Sequence, residues 1–430
     1  MSAHAIRPIT KPLDAVVRVP GSKSLTNRAL IAAALAHGRS ILSNALFADD
    51  TERLLAGLET LGIALEADRA ENRVEITGCG GHLPASDADI DCGESGTMLR
   101  FFTALCATAA GRYRLFGRGR LHQRPMAPLV DALRQMGARV EFEEREGCAP
   151  LIVHGQALGG GQIEVDGSTS SQFASAVLLA GPCARSDVML AITGTPISEP
   201  YVRMTGAVMQ AFGINIVTED YRRIIVPAPQ MYQATNYDIE PDASSAGYFL
   251  AAAAICGGRV RIKGLGRTSC QGDLRLTEVL EQMGCTCRVE DGFVELERRP
   301  DQALRGGLEF DLGDMPDAAP TVAVLALFAD GPVRIRNVAQ LQQKESARLS
   351  VLAAQLGALG AEIEVHRDGL TVQPAREIRP GTVDPCGDHR MAMAFALVGL
   401  SAPGVAIGDP GCVSKSFPGY FALLASLSDY

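Results

Sequence analysis

The sequence predicts an α/β protein (α+β in its mixture of strand directions) of two domains, each holding three copies of one helix-and-strand repeat. Three observations carry this expectation. Two series of helix-like runs alternate along the chain. Each series recurs about every 73 residues. Each run breaks at a glycine or short turn into a strand-like alternation.

The first series is small and apolar, as in "ALIAAALAHGRSIL", "RFFTALCATAAGRYRL", "YFLAAAAICGGRVRI" and "MAFALVGLSAPGVAI". Its turns fall near Gly38, Gly111, Ser186, Gly258, Gly331 and Gly404. A helix apolar on every side belongs in a core. The second series ends on glycine, the residue that most readily adopts the left-handed conformation closing a helix. Its breaks are Gly62, Gly137, Gly213, Gly284 and Gly360, spaced 75, 76, 71 and 76 residues apart. A sixth member, "FPGYFALLASLSDY", has no strand after it.

A spare strand region at about residues 4–19 precedes the first helix. The economical expectation is that it completes the sixth repeat, which puts both termini in one domain. The predicted domains are therefore 21–240, continuous, and 1–20 plus 241–430, split. The two chain crossings between them form a natural hinge. An open solenoid of six repeats is the alternative on pattern alone.

Composition narrows the function. The chain has 430 residues, net charge −9, no Trp and 5% aromatic residues, so it lacks the basic and aromatic surface of a nucleic-acid binder. The first residues, "MSAHAIRPITKPLDAVV", carry no signal-peptide run, and no stretch approaches the roughly 18 apolar residues of a membrane span. The expectation is a cytoplasmic protein without membrane or nucleic-acid partners. Its 11 cysteines include no CxxC pair, which points to reduced thiols rather than a metal site.

The apolar helices open on polar clusters: "GSKSLTNR", "GESGTMLR", "GSTSSQF", "PDASSAGYF", "GDMPDAAP" and "GDHRMAM". Capping accounts for Asp242, Ser244 and Ser245. It does not account for Lys23, Arg28 or Arg390, because a cation at a helix N-terminus opposes the helix dipole by ~0.3–1 kcal/mol. An anion bound there removes the conflict. The second series also opens on polar residues: Asp49 and Asp50, Arg124, Ser198 and Tyr201, Lys344, Glu345 and Arg348, and Lys415. Recurrence at equivalent places argues against scattered surface charge. Helix N-termini sharing one face would gather free N–H groups and cations into an anion site. "GSKS" is no P-loop, since Ser22 separates Gly21 from Lys23. His389 reads equally well as a helix-start hydrogen bonder or as a direct participant.

On these residues the chain resembles the 5-enolpyruvylshikimate-3-phosphate synthase family. The matching stretches include "PGSKSLTNRAL", "ESGTMLRFFTAL", "RPMAPLVDALRQMGA", "STSSQFASAVLLAGP", "SEPYVRMT", "PDASSAGYFLAAAA", "KESARL", "DHRMAMAFAL" and "DPGCVSKSFPGYF", in the family's order over nearly the whole chain. The resemblance implies two domains of three βαβαββ-type repeats, an inside-out α/β barrel joined by a double-crossover hinge, with the active site in the cleft. It implies transfer of the enolpyruvyl group of phosphoenolpyruvate to the 5-hydroxyl of shikimate 3-phosphate, with release of phosphate, on the route to chorismate and aromatic amino acids. It implies no metal or organic cofactor, and a monomer.

The resemblance also implies roles. Lys23 touches both substrates. Ser24, Arg28, Ser170, Ser171, Ser198, Tyr201 and Lys344 serve shikimate 3-phosphate. Gln172 lies near both ligands. Gly96, Arg124, Arg348, Arg390 and Lys415 hold phosphoenolpyruvate. Asp317 takes the proton from the 5-hydroxyl, and Glu345 delivers and removes the methylene proton. Several departures stand out: Glu94 where the family has Asn, Phe101 for Pro, Ala347 for Asp and Gln340 for Asn. Glu94 is expected either to point away from the ligand or to pair with an arginine.

The chemistry asks for such groups independently. Two phosphates and two carboxylates must be desolvated together, and arginine forks suit them. The enol ether carbon needs a proton donor and then a base, which one tuned carboxylate can supply. The sister transferase acting on UDP-N-acetylglucosamine shares the implied fold, but it uses a loop cysteine that "FGRGRLHQRPMA" lacks. A non-catalytic phosphate-ligand binding protein would not need both Asp317 and Glu345.

Overall fold

The computed structural model describes residues 3–195, 198–218 and 220–429. The N-terminal segment forms β1 (His4–Ala5) and β2 (Leu13–Val17). The first repeat then runs α1 (Lys23–Leu35), β3 (His37–Ser43), α2 (Asp49–Thr60), β4 (Ala64–Asp68) and β5 (Arg73–Cys79). The second runs β6 (Asp87–Asp91), α3 (Gly96–Ala107), β7 (Gly111–Phe116), α4 (Ala127–Gln135), β8 (Arg139–Phe142) and β9 (Leu151–Gly155). The third runs β10 (Gly161–Asp166), α5 (Ser171–Ala180), β11 (Val188–Thr193), α6 (Glu199–Ala211), β12 (Val217–Thr218) and β13 (Arg223–Val226), and β14 (Asn236–Asp238) follows.

The fourth repeat holds α7 (Ala243–Cys256), β15 (Gly258–Lys263), α8 (Leu276–Gln282), β16 (Thr286–Glu290) and β17 (Phe293–Arg298). The fifth holds β18 (Leu308–Asp311), α9 (Ala319–Leu325), β19 (Val333–Arg336), α10 (Arg348–Ala358), β20 (Glu362–His366) and β21 (Gly369–Gln373). The sixth holds β22 (Gly381–Val383), α11 (His389–Gly399), β23 (Val405–Ile407) and α12 (Tyr420–Ser426).

Five of the sheets have four strands in one recurring order, and the sheet of the sixth repeat has three, β1-β23-β22. In the second repeat the order is β6-β7-β9-β8, where β6 and β7 are parallel and the last two pairings are antiparallel. The parallel pair is bridged by the apolar helix α3, as a parallel connection requires. This is the βαβαββ unit. All five glycines that end the second helix series take the left-handed conformation, with φ from +80° to +105°.

The strand pairing corrects one expectation. Of the N-terminal region only β1 completes the sixth repeat, where it lies antiparallel to β23. The longer β2 instead opens the fourth repeat, parallel to β15. Leu13, Ala15 and Val17 turn inward there while Asp14 and Val16 face outward, which suits a strand on the half-buried edge of a sheet. The first repeat is opened by β14, which returns parallel to β3 after the third repeat.

Two compact units result, one of Met1–Pro20 with Glu240–Tyr430 and one of Gly21–Ile239. Within each, the three apolar helices pack on one another, α1, α3 and α5 in the continuous unit and α7, α9 and α11 in the split one. Their alanines are wholly buried, so the helix axes can approach closely. In the split unit Tyr420 of α12 seals the end of this core against Tyr248, Phe249 and Phe417, with ring centroids 5.6–6.1 Å away. The 11 cysteines are all free thiols. Among the described residues no helix is long and apolar enough to cross a membrane, and no cluster of His, Cys, Asp and Glu could hold a metal ion.

Candidate active site

In the continuous unit the polar starts of the helices gather around three anchors. Ser22, Ser95 and Ser170 cap α1, α3 and α5, each hydroxyl accepting a backbone N–H of the first turn. Lys23 begins α1 and its Nζ lies 3.3 Å from Asp50 at the start of α2. Arg28, one turn further, is 2% exposed. It donates to the Ser24 carbonyl at 2.9 Å, Thr205 Oγ1 at 2.7 Å, Ser175 Oγ at 3.3 Å and the Tyr201 carbonyl at 3.2 Å. Its guanidinium stacks over Phe101 of α3, with Cζ 5.4 Å from the ring centroid.

The second anchor is Gly96, the first residue of α3. The Arg124 guanidinium lies across it, and a Cβ there would sit 2.6 Å from Arg124 Cζ. Glycine at this position leaves the arginine room to lie over the helix N-terminus. The third anchor is Arg100, absent from the expected site and 3% exposed. It donates to Gln172 Oε1 at 2.6 Å, Ser170 Oγ at 3.3 Å and the Pro125 carbonyl at 3.1 Å, and it stacks on Phe173. Gln172 Nε2 in turn donates to Thr97 Oγ1 at 3.0 Å. Arg100 thus ties the Ser170–Gln172 cluster to the segment bearing Arg124. Ser171 is buried at the start of α5. Ser198, next to α6, holds a left-handed φ of +58° while buried. For a residue other than glycine that is strain of ~1–3 kcal/mol, the kind met at functional positions. Glu94 turns its carboxylate onto Gly119, whose φ is +59°, so it faces the loop leading to Arg124.

In the split unit the expected residues form one charged group. Arg348, at the start of α10, is 1% exposed and is held by three carboxylates. Asp388 takes its Nε at 2.7 Å and Nη2 at 3.2 Å, Asp317 takes Nη1 at 2.9 Å, and Glu345 takes Nη2 at 2.9 Å. The other oxygen of Asp317 lies 2.8 Å from Arg390 Nη2. Asp388 is wholly buried, caps α11 through the Arg390 N–H and accepts from Ser346 Oγ. His389 is buried beside it, Nδ1 3.8 Å from Asp388 Oδ1. Lys415 ends the turn Pro410–Lys415, which packs on α11, and Gln340 is buried in the turn Ala339–Gln343.

The electrostatics follow from this crowding. Burial alone pushes the Asp317 carboxyl up, but Arg390, Lys344 and Arg348 together hold it well below the ordinary carboxylate range. Burial disfavours charge on Arg348 too, yet Asp388, Glu345 and Asp317 fix it firmly as a cation. The group can therefore bind small oxyanions on Arg348 and Arg390, and it keeps two carboxylates, Asp317 and Glu345, beside them.

Asp388 and Arg100 carry as much of this geometry as the expected residues. Asp388 could have been read from "GDHRM", where it stands in the N-cap place. Arg100 could have been read as a lone cation inside an otherwise apolar helix.

Five βαβαββ repeats and a sixth that lacks one strand, three in each unit, with arginines and carboxylates at the helix starts, define an enolpyruvyl-transferase fold. The enolpyruvyl transferase NikO of Streptomyces tendae shares that fold with a TM-score of 0.79 at 22% identity, over 99% of this chain and 97% of its own. An EPSP synthase of Acinetobacter baumannii superposes with a TM-score of 0.81 at 26% identity, over 99% and 98% of the two chains. The family model for EPSP synthase (3-phosphoshikimate 1-carboxyvinyltransferase) matches residues 8–424, so the chain belongs to the EPSP synthase family. Relatives named 3-phosphoshikimate 1-carboxyvinyltransferase are 42% identical in Trichormus variabilis, over 98% of both chains, and 43% identical in Nitrosomonas europaea, over 96% of both.

Proposed function

We propose that the chain transfers the enolpyruvyl group of phosphoenolpyruvate to the 5-hydroxyl of shikimate 3-phosphate and releases inorganic phosphate, a step of aromatic amino-acid biosynthesis. Beyond family membership, the observation that carries this reading is Asp317 lodged between Arg348 and Arg390 with Glu345 alongside.

In this reading the continuous unit and the split unit both supply residues. Arg124, Arg348, Arg390 and Lys415, with Gly96, hold the phosphate and carboxylate of phosphoenolpyruvate. Lys23 and Gln172 touch both substrates. Ser24, Arg28, Ser170, Ser171, Ser198, Tyr201 and Lys344 hold shikimate 3-phosphate. Anions arriving on Arg348 and Arg390 offset the charge that depresses Asp317, which raises its pKa toward that of a useful base. Asp317 then accepts the 5-hydroxyl proton as that oxygen bonds to C2 of phosphoenolpyruvate, while Glu345 protonates C3 to a methyl group. In the second half Glu345 takes a methyl proton back, the double bond reforms, and the C2–O bond to phosphate breaks. The chain acts as a cytoplasmic monomer in this account.

A coupled assay for phosphate tests the reading. Release from phosphoenolpyruvate should require shikimate 3-phosphate. Release with UDP-N-acetylglucosamine in its place would replace the reading by that of the sister transferase.

A further inference from the structure

We propose that Thr205 is a positioning residue for the shikimate 3-phosphate side of the site, acting through Arg28 and Tyr201. The proposal rests on the roles given to those two residues above.

Thr205 lies in the second turn of α6 and is wholly buried. Its hydroxyl stands 2.7 Å from Arg28 Nε, 2.8 Å from the Tyr201 carbonyl and 2.9 Å from Ser175 Oγ. A hydroxyl has one proton and two lone pairs. The Arg28 N–H can only donate, so Thr205 accepts there and gives its own proton to Tyr201 or Ser175. The bond back to the carbonyl four residues earlier sets the Thr205 rotamer. That rotamer fixes where the lone pair meeting Arg28 points.

Three helices meet at this oxygen: α1 through Arg28, α5 through Ser175, and α6 through its own first turn, which carries Tyr201. Ser175 Oγ and the Tyr201 carbonyl also accept from Arg28 Nη2. These oxygens are neutral, so they fix the direction of the guanidinium without cancelling its charge. Arg348 is held differently, by carboxylates. Arg28 is thereby kept in one orientation, its Nε and Nη2 edges fixed by α5 and α6.

The test uses Thr205→Val, which keeps the shape and deletes the acceptor, and Thr205→Ser, which restores it. The KM for each substrate, kcat and the unfolding midpoint are measured for both variants and the wild type. Thr205→Val should raise the KM for shikimate 3-phosphate about tenfold, the scale of one hydrogen bond to a charged group, and leave that for phosphoenolpyruvate unchanged. Thr205→Ser should return the KM to near the wild-type value. A merely structural role lowers the midpoint and kcat without splitting the two KM values, and that result overturns the proposal, as does an unchanged KM for shikimate 3-phosphate or failure of Ser to rescue. Wild-type enzyme that does not turn over shikimate 3-phosphate overturns the reading beneath it instead, and the proposal with it.

Discussion

Asp388 grips Arg348 on two N–H groups, 2.7 Å from Nε and 3.2 Å from Nη2, with both side chains out of solvent. The same carboxylate caps α11, so one side chain orients an arginine and starts a helix. Removing it strands a buried cation. Asp388→Ala should cost about 3–5 kcal/mol of stability, read from denaturant unfolding. A loss below about 1 kcal/mol would mean that Asp317 and Glu345 hold Arg348 without it.

Asp317 gives a pH dependence whose sign is determined. Its folded pKa is held below the ordinary 3.8 by Arg390, Lys344 and Arg348 acting against burial. A depressed acid contributes stability that is fully present above its unfolded pKa and is lost progressively as pH falls from there through its folded pKa. Unfolding free energies of wild type and Asp317→Asn should therefore differ most near neutrality and converge as pH drops below about 4. A difference that stays constant down to pH 3 contradicts the ion pairs.

Gly96 makes room for Arg124. Gly96→Ala would set a methyl group 2.6 Å from the guanidinium carbon and force the arginine off the α3 N-terminus. The KM for phosphoenolpyruvate should rise about ten- to hundredfold with little change for shikimate 3-phosphate. Equal KM values in the variant would show that Arg124 binds from elsewhere.

Glu345→Gln keeps a hydrogen-bonding side chain beside Arg348 but cannot shuttle a proton. Shikimate 3-phosphate should bind as before by calorimetry, while kcat falls about 10²–10⁴-fold. A near-normal kcat removes Glu345 from proton transfer.

Much of the architecture was legible because it repeats. Gly62, Gly137, Gly213, Gly284 and Gly360 mark five helix ends, and each takes the positive φ that a left-handed stop requires. The apolar helices announce themselves through alanine. Strand pairing was less legible: β2 and β1 lie eight residues apart yet enter different sheets, a choice made by long-range partners rather than local pattern. In the site, unusual charge placement singled out Lys23, Arg28 and Arg390. Asp388 hid behind an ordinary capping role, and Arg100 behind the apolar helix around it. Thr205 carries no signal in the sequence at all, since its part is defined by three helices meeting.

The most direct measurement is a phosphorus NMR time course of the wild-type enzyme with phosphoenolpyruvate and shikimate 3-phosphate together. The two substrate signals should decline in step, while inorganic phosphate and one new phosphomonoester grow in equal amounts. Phosphoenolpyruvate consumed without loss of shikimate 3-phosphate, or two substrates left untouched, would contradict the account.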